Sequence, residues 1–162
     1  MTALPTDPTA PLDPAAAPAD LDAAVQRLVT FYETLAPAHL AQLAHLYAAQ
    51  AHFKDPFNAV VGVAAIADIF SHMFATLDHP RFVVTNRVRQ GTQCFLTWEF
   101  HFAFQRFQPA TRRTIVGASH LVFNAQGQVQ LHRDYWDAAE ELYAKLPLLG
   151  GLMRWLQRRA GG

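Results

Sequence analysis

Cysteine is almost missing from this sequence of 162 residues, because Cys94 is the only one. A single cysteine excludes a disulfide within the chain and a cysteine-based zinc site. A surplus of charge of either sign is missing too, because the 13 basic side chains are equal in number to the 13 acidic ones. That balance argues against a protein held to nucleic acid by phosphate contacts, although it allows a local basic patch. We therefore expect no nucleic-acid partner.

Long hydrophobic runs are also lacking. The strongest apolar stretch, residues 56–67, is shorter than the ~20 residues of a membrane-spanning helix. No basic residue precedes Arg27 and no apolar core lies near the N-terminus, so the sequence lacks the pattern of a secretory signal. These features predict a cytoplasmic protein. Apolar residues make up 51% of the chain, which is enough for one domain with an ordinary core.

Proline and arginine mark the borders of the predicted domain. Five of the ten prolines lie in residues 1–19, and that density predicts a disordered tail. Residues 20–146 form the predicted domain. Residues 147–162 then combine leucines with Arg154, Arg158 and Arg159 in an amphipathic basic extension. Such a segment docks on its own domain or on a dimer partner more often than on a membrane surface, so a membrane is not the expected partner.

Two hydrophobic periods follow each other along the domain. Before Pro80 a period of about 3.6 predicts three helices. The first begins at the N-cap Asp20, the second carries Tyr47, and the third opens at Gly62. After Pro80 a period of about 2 predicts four strands, at residues 82–90, 93–107, 112–123 and 129–136. Short turns between strands indicate an antiparallel meander, and helices followed by strands indicate an α+β protein with helices on one face of a bent sheet.

Several short motifs resemble one superfamily of this class. They are Phe31-Tyr32-Glu33, Leu46-Tyr47, Phe53-Lys54-Asp55-Pro56-Phe57, Gly62 before a helix, and Phe123-Asn124-Ala125-Gln126-Gly127 followed by Asp134-Tyr135-Trp136. Together they are similar to the nuclear-transport-factor-2-like superfamily, which includes ketosteroid isomerases, SnoaL-like polyketide cyclases and limonene epoxide hydrolases. The resemblance covers roughly residues 20–143. It implies a cystatin-like cone, in which a curved antiparallel sheet wraps around the N-terminal helices and leaves an apolar pocket open at one end.

The resemblance also implies roles for individual side chains. Asp55 stands where the ketosteroid isomerases carry their proton-shuttling carboxylate, and Tyr32 stands where they carry an oxyanion-stabilising tyrosine. Tyr47 matches the tyrosine that supports it. Ser119 replaces their second oxyanion donor, a protonated aspartic acid, with a weaker donor. Asp134 stands where SnoaL-like cyclases tend to carry an acid/base aspartate.

Strand alternation groups three residues near the end of the domain. His132, Asp134 and Trp136 fall on one face of the last predicted strand. If Trp136 faces the pocket, His132 and Asp134 face it as well and could act as a carboxylate–histidine pair. Alternatively, Asp134 forms a salt bridge with an arginine at the rim of the sheet.

Asp55 and Tyr32 each have a structural alternative. A carboxylate in an apolar pocket is a suitable general base, because burial disfavours its charged form. Aspartate before a proline, however, also commonly caps a turn. Tyr32 lies on the buried stripe of its helix, so it is either an oxyanion donor or a core tyrosine with one satisfied hydroxyl.

The histidines predict no metal site, although there are eight of them. No pair combines a helical metal-ligand spacing with a third acidic ligand. His101 and His120 have the opposite parity to Trp98 and Ser119, which places them on the outer face of the sheet. Relatives in the superfamily often dimerise through that face, so we expect a homodimer.

The pattern as a whole favours an enzyme with an apolar small-molecule ligand. We expect a pocket lined by Tyr47, Phe31, Phe57, Phe70, Phe74, Trp98, Phe100, Phe102 and Trp136. The predicted reaction is proton transfer on a carbonyl compound, of the isomerase or cyclase type, with no cofactor. Asp55 would be the base, Tyr32 and Ser119 the oxyanion donors, and Asp134 with His132 a second acid/base. The alternative is a ligand-binding or protein-association module without catalysis.

Overall fold

The computed structural model describes residues 20–106 and 110–138. The predicted N-terminal tail and the basic extension at residues 147–162 lie outside these ranges. The helices are α1 (Leu21–Glu33), a 3-10 turn (Pro37–Gln42), α2 (Leu43–Leu46) and α3 (Val63–Thr76). The strands are β1 (Tyr47–Lys54), β2 (Ala59–Val61), β3 (Leu77–Gln90), β4 (Gln93–Phe104), β5 (Arg113–Phe123) and β6 (Val129–Tyr135).

Helix α1 begins and ends as its local sequence predicts. The Asp20 side chain accepts a hydrogen bond from the backbone N–H of Ala23 at 2.8 Å, which satisfies one of the free donors at the helix start. One stripe of the helix is buried, including Leu28 and Tyr32. The helix ends at Glu33, shortly before Pro37. Tyr32 is therefore held on a helix whose other buried side chains belong to the core.

The six strands form one sheet in the order β2-β1-β6-β5-β4-β3. Strands β3 to β6 make the predicted antiparallel meander. The chain from Tyr47 to Lys54 was expected to begin as a helix, but it is extended and pairs in parallel with β6, so that Phe53 lies opposite His132. The sheet is therefore mixed rather than wholly antiparallel. The α+β class is confirmed.

Polar contacts fix α1 along the edge strand β3. The Arg89 guanidinium pairs with the carboxylate of Asp22 at 2.9 Å, and the Arg87 guanidinium donates to the Gln26 amide oxygen at 2.8 Å. At the other end of α1, a Glu33 carboxylate oxygen accepts the backbone N–H of Val84 at 3.0 Å. The helix thereby covers part of a strand edge that would otherwise be open to pairing.

The two faces of the sheet differ in the way strand alternation predicts. On β4 the side chains of Leu96, Trp98, Phe100 and Phe102 are buried beneath the helices. Among the described residues the outer face carries five large exposed apolar side chains: Val61, Val88, Phe95, Val116 and Tyr135. His101 pairs there with Glu99 at 3.0 Å, and His120 stacks on Phe95. In residues 20–106 and 110–138, no helix is long and apolar enough to cross a membrane.

Candidate active site

A cavity of about 300 Å³ lies between the sheet and the helices α1 and α3. Its wall is mainly apolar, and this composition is typical of sites that bind small molecules. Six of the aromatic residues predicted to line a pocket do line it: Phe57, Phe70, Trp98, Phe100, Phe102 and Trp136. Tyr32, Ser119, His132 and Asp134 also belong to the wall. The predicted residues make up less than half of the wall, which also includes side chains such as Phe53, Phe82 and Leu96 that the sequence analysis did not place there.

Three predicted lining residues lie elsewhere. Phe31 and Tyr47 are buried in the core and do not line the cavity. Phe31 follows a wide buried stripe of α1 and packs edge-on against Tyr32. Phe74 is displaced because each helical residue is rotated by about 100° from the last, and the cavity-facing row on α3 passes through Ile69 and Met73.

A histidine joins two buried tyrosines to a carboxylate at the polar part of this wall. Tyr47 Oη lies 2.6 Å from His132 Nδ1, and Tyr32 Oη lies 3.3 Å from the same nitrogen. The two tyrosine hydroxyls also contact each other directly. On its other side, His132 Nε2 lies 2.7 Å from Asp134 Oδ1. The predicted His132–Asp134 pair is thus formed. Tyr47, which is buried in the core and does not line the cavity, forms a hydrogen bond with its histidine.

Ser119 and Trp98 hold the same carboxylate from the neighbouring strands. The Trp98 indole N–H donates to Ser119 Oγ at 2.9 Å, and the Ser119 hydroxyl lies 2.5 Å from Asp134 Oδ1. An indole nitrogen can only donate, so the Ser119 hydrogen is directed to the carboxylate. Ser119 therefore orients Asp134 and does not aim its hydrogen at a ligand. Its predicted role as an oxyanion donor has no support from this contact.

Burial controls the protonation of the two phenols. Removal from water raises the pKa of Tyr32 and of Tyr47 well above the usual phenol value, and the nearby Asp134 charge raises both further. Both hydroxyls therefore keep their protons at neutral pH. Tyr32 can exchange hydrogen bonds with a ligand, but it cannot itself act as an anionic base.

Asp55 lines the cavity, yet its carboxylate is engaged by its own turn. Oδ1 accepts the backbone N–H groups of Phe57 and Asn58 at 2.7 and 2.6 Å. The Asn58 amide approaches both oxygens, at 3.1 and 2.9 Å. This is the turn-capping alternative that the position before Pro56 allows. The contact with the Asn58 side chain had no signal in the sequence analysis.

Asp134 is held differently, because both of its hydrogen bonds reach one oxygen. Ser119 and His132 contact Oδ1, and no side chain or backbone group in the described ranges donates to Oδ2. Asp134 also borders a second, more open cleft of about 510 Å³, together with Lys54 and Arg133. It therefore lies between an apolar cavity and a surface that water can reach. The alternative salt bridge from Asp134 to an arginine is not found among these residues.

No three His, Cys, Asp or Glu side chains converge as metal ligands within residues 20–106 and 110–138. The polar wall consists instead of hydroxyl, imidazole and carboxylate groups that can hold and pass protons. Such groups suit general acid–base chemistry.

The open mixed sheet, the helices on one face and the cavity between them define a nuclear-transport-factor-2-like fold. Within that class, residues 28–132 match the model of the SnoaL-like domain. The chain therefore belongs to the SnoaL-like domain family. The comparison with curated proteins gives no match.

Solved structures with the same fold are distant in sequence. A protein from Catenulispora acidiphila with a ketosteroid isomerase-like fold, solved with trimethylamine, has a TM-score of 0.63 and 16% identity, covering 74% of this chain and 88% of that one. A putative SnoaL-like polyketide cyclase from Shewanella putrefaciens has a TM-score of 0.61 and 18% identity, with 74% and 96% covered. An M. tuberculosis LEH-like epoxide hydrolase has a TM-score of 0.61 and 12% identity, with 88% and 97% covered. At these identities the likeness concerns the fold alone.

Proposed function

We propose that the protein is an enzyme that moves a proton on an apolar carbonyl compound, with Asp134 as the base. The observation that carries this proposal is the position of Asp134. One carboxylate oxygen is fixed by Ser119 and His132. The other receives no hydrogen bond from the described part of the chain, at the wall of a largely apolar cavity. A base needs both features, because its orientation must be fixed while a lone pair stays available.

Asp134 is a better candidate for the base than Asp55. The carboxylate of Asp55 accepts four close contacts from Phe57 and Asn58, three at Oδ1 and one at Oδ2, so both of its oxygens are already engaged in the turn. A substrate proton would have to approach an oxygen that already accepts a hydrogen bond, whereas Oδ2 of Asp134 accepts none from the described residues. The sequence hypothesis of an aspartate base is kept, but it moves from the turn after β1 to the last strand.

The reaction that fits these groups begins with removal of a proton from the carbon next to a carbonyl. The C–H bond breaks, Asp134 Oδ2 takes the proton, and the electron pair becomes an enolate. In an isomerase the proton then returns from Asp134 to a different carbon. In a cyclase the enolate carbon attacks a second carbonyl of the same molecule, and the resulting alkoxide takes the proton back. Both reactions are balanced by proton movement alone, so neither requires a cofactor.

Two structural neighbours have names that agree with this chemistry. One is the putative polyketide cyclase from Shewanella putrefaciens, and another is a putative isomerase of the SnoaL-like family from Agrobacterium tumefaciens. These names support the class of reaction without identifying a substrate. We infer the substrate class for this chain from its own cavity, whose mainly apolar wall suits a compact apolar carbonyl compound.

Hydrogen–deuterium exchange tests the proposal without knowledge of the natural substrate. The probe is 2-tetralone in D₂O, because its benzylic α-carbon releases a proton readily, and mass spectrometry follows deuterium uptake above the buffer rate. We expect the wild-type protein to accelerate exchange and Asp134→Asn to reduce that acceleration by about 10²–10⁴-fold. Asp55→Asn is the matched control, because it changes a carboxylate of the same cavity that we do not assign as the base. Loss of exchange in Asp55→Asn with retention in Asp134→Asn would contradict our assignment.

A ligand-binding module without catalysis is the second candidate. The engaged carboxylate of Asp55 favours it, because a binding protein needs no free base at that position. It predicts that 2-tetralone binds without any accelerated exchange. The open cavity of about 300 Å³ is compatible with both candidates, and the exchange experiment separates them.

A further inference from the structure

Tyr32, Tyr47, His132 and Asp134 form a chain of hydrogen bonds. The number of protons on His132 determines which group donates and which accepts in each of the bonds to the tyrosines. A neutral imidazole carries one N–H donor and one acceptor nitrogen, whereas an imidazolium carries two donors. His132 contacts a carboxylate through Nε2 and a hydroxyl through Nδ1. The direction of every hydrogen bond beyond Nδ1 therefore depends on whether Nδ1 holds a proton.

When the imidazole of His132 is neutral, the tyrosine hydroxyls donate their hydrogen bonds in the direction of His132. The Nε2–H donates to Asp134, so Nδ1 is an acceptor. Tyr47 is the group that fills it, because its ring is nearly parallel to the imidazole, at 10°, and its hydroxyl is 2.6 Å away. Tyr32 is almost perpendicular to the imidazole and its hydroxyl is 3.3 Å away. Tyr47 then donates to His132, Tyr32 donates to Tyr47, and Tyr32 offers only lone pairs to the cavity.

One added proton reverses this chain. With Nδ1 protonated, His132 donates to Tyr47 and Tyr47 donates to Tyr32. The hydrogen of Tyr32 is then released towards the cavity, which its side chain lines. The same result follows if the proton lies on Asp134 while the neutral imidazole carries its hydrogen on Nδ1. The relevant quantity is therefore the number of protons on the His132–Asp134 pair.

We propose that the proton count of the His132–Asp134 pair switches Tyr32 between a hydrogen-bond acceptor and a hydrogen-bond donor towards the ligand. A ketone can only accept, so it binds when the pair holds the extra proton. An alcohol can donate or accept and binds in both states. This inference uses the site of the proposed function, and it makes Tyr32 an oxyanion donor in only one protonation state.

Few other charges face this histidine. Tyr32 approaches it from α1 and Tyr47 from β1, and burial keeps both protonated. On strand β5, Ser119 forms a hydrogen bond with Asp134, and Leu121 lies opposite His132. Asp55 and, from α3, His72 also line the cavity, and Asp55 is held in its turn. The arginine and lysine of this region, Arg133 and Lys54, alternate to the other face of their strands.

Calorimetry with two matched ligands tests the switch apart from catalysis. The ligands are 2-adamantanone, which cannot form an enolate at its bridgehead carbons, and 2-adamantanol. Titrations between pH 5 and 9, in buffers with different heats of ionisation, give the protons bound with each ligand. On the alkaline side we expect the ketone to take up close to one proton and to weaken about tenfold per pH unit. The alcohol should take up almost none and change by less than about threefold.

Variants test whether the proton taken up with the ketone depends on the hydrogen bonds that join Tyr32 and Tyr47 to His132 or on another titratable group. Tyr32→Phe removes the released donor and should abolish proton uptake with the ketone. Tyr47→Phe leaves only the 3.3 Å contact between Tyr32 and His132 Nδ1, so it should reduce the uptake. His120→Gln is the control, because His120 lies on the outer face beside Phe95 and Gln93, and it should leave the uptake unchanged. Equal proton counts for ketone and alcohol, uptake that persists in Tyr32→Phe, or no ketone binding at any pH would overturn the proposal.

A measurement without ligand keeps the proposal testable if a variant fails to fold. The ¹⁵N spectrum of the imidazole groups identifies which nitrogen carries hydrogen, and the His132 signals are assigned in the wild-type protein through their correlation with the His132 backbone. At alkaline pH we expect hydrogen on Nε2 and none on Nδ1. A neutral imidazole protonated on Nδ1 would refute the direction of the chain. The exchange experiment on 2-tetralone is independent of this result, because it measures removal of a carbon-bound proton.

Discussion

A methyl group added at Gly117 should displace the indole that holds Ser119. Gly117 lies opposite Trp98 on the neighbouring strand. A Cβ there would come within 2.6 Å of Cζ2 and 2.9 Å of Cζ3 of the indole, and would also contact Cη2. Carbon atoms prefer about 3.5–4.0 Å, so the ring has to move by roughly 1 Å. Phe82 packs edge-on against the same indole, with ring centroids 5.7 Å apart, and restricts that movement.

The expected cost of Gly117→Ala is about 1–3 kcal/mol, as for other overpacked cores. Backbone strain does not contribute, because Gly117 does not have a positive φ. Urea unfolding followed by far-ultraviolet circular dichroism measures the change without depending on tryptophan fluorescence. Trp98→Phe in the same background removes the obstructing ring atoms. The double variant should therefore be at least about 1 kcal/mol more stable than the sum of the single effects predicts.

Gly91→Ala provides the matched control for this cycle. Its φ is +58°, and a Cβ there would meet nothing within 4 Å. It should cost about 1–2 kcal/mol through backbone strain alone, and this cost should add to that of Trp98→Phe. If Gly117→Ala proves neutral, or if its effect adds to that of Trp98→Phe, the steric reasoning is wrong.

Two further predictions concern the buried phenols and the outer face of the sheet. Burial raises the pKa of Tyr32 and Tyr47 above the unfolded value, so the stability of their protonated forms is present below pH ~10 and is lost as the pH rises further. Absorbance at 295 nm should show that two of the four tyrosines ionise only when the chain unfolds; ionisation of all four before unfolding would contradict this. We also propose that the protein is a homodimer through its outer sheet face, where Phe95 and Val116 are 48% and 56% exposed. Light scattering should give half the wild-type mass for Phe95→Lys and Val116→Lys but the full mass for Ala44→Lys, whose side chain is exposed on the helix α2; a single-copy mass for the wild type would refute the dimer.

The sequence predicted the elements whose signals are local. Asp20 and the stripe that follows it specify α1, and alternation along β4 specifies the buried face with Trp98. Strand β1 was missed because its residues 47–54 include several alanines and a glutamine, which have weak strand preference. Its extended form depends on pairing with residues 129–133. No local pattern contains that information.

The sequence could predict several residues of the site but not the hydrogen bonds that join them. Alternation placed His132 and Asp134 on one face, and the structure forms that pair. The direction of the Ser119 hydrogen depends on Trp98, which comes from another strand. The state of the Asp55 carboxylate depends on the rotamer of Asn58. Such contacts are set by tertiary packing, so the spacing of residue types does not reveal them.

The parallel pairing of β1 with β6 determines when the site can form during folding. Neighbouring strands of the meander meet through short turns, whereas β1 and β6 are separated by most of the domain. Closing so long a loop carries a large entropic cost and is a slow kind of step. Tyr47 and His132 come together only through that step. We therefore expect ligand-binding competence to appear late in refolding, after the β3–β5 meander has acquired protected amide hydrogens.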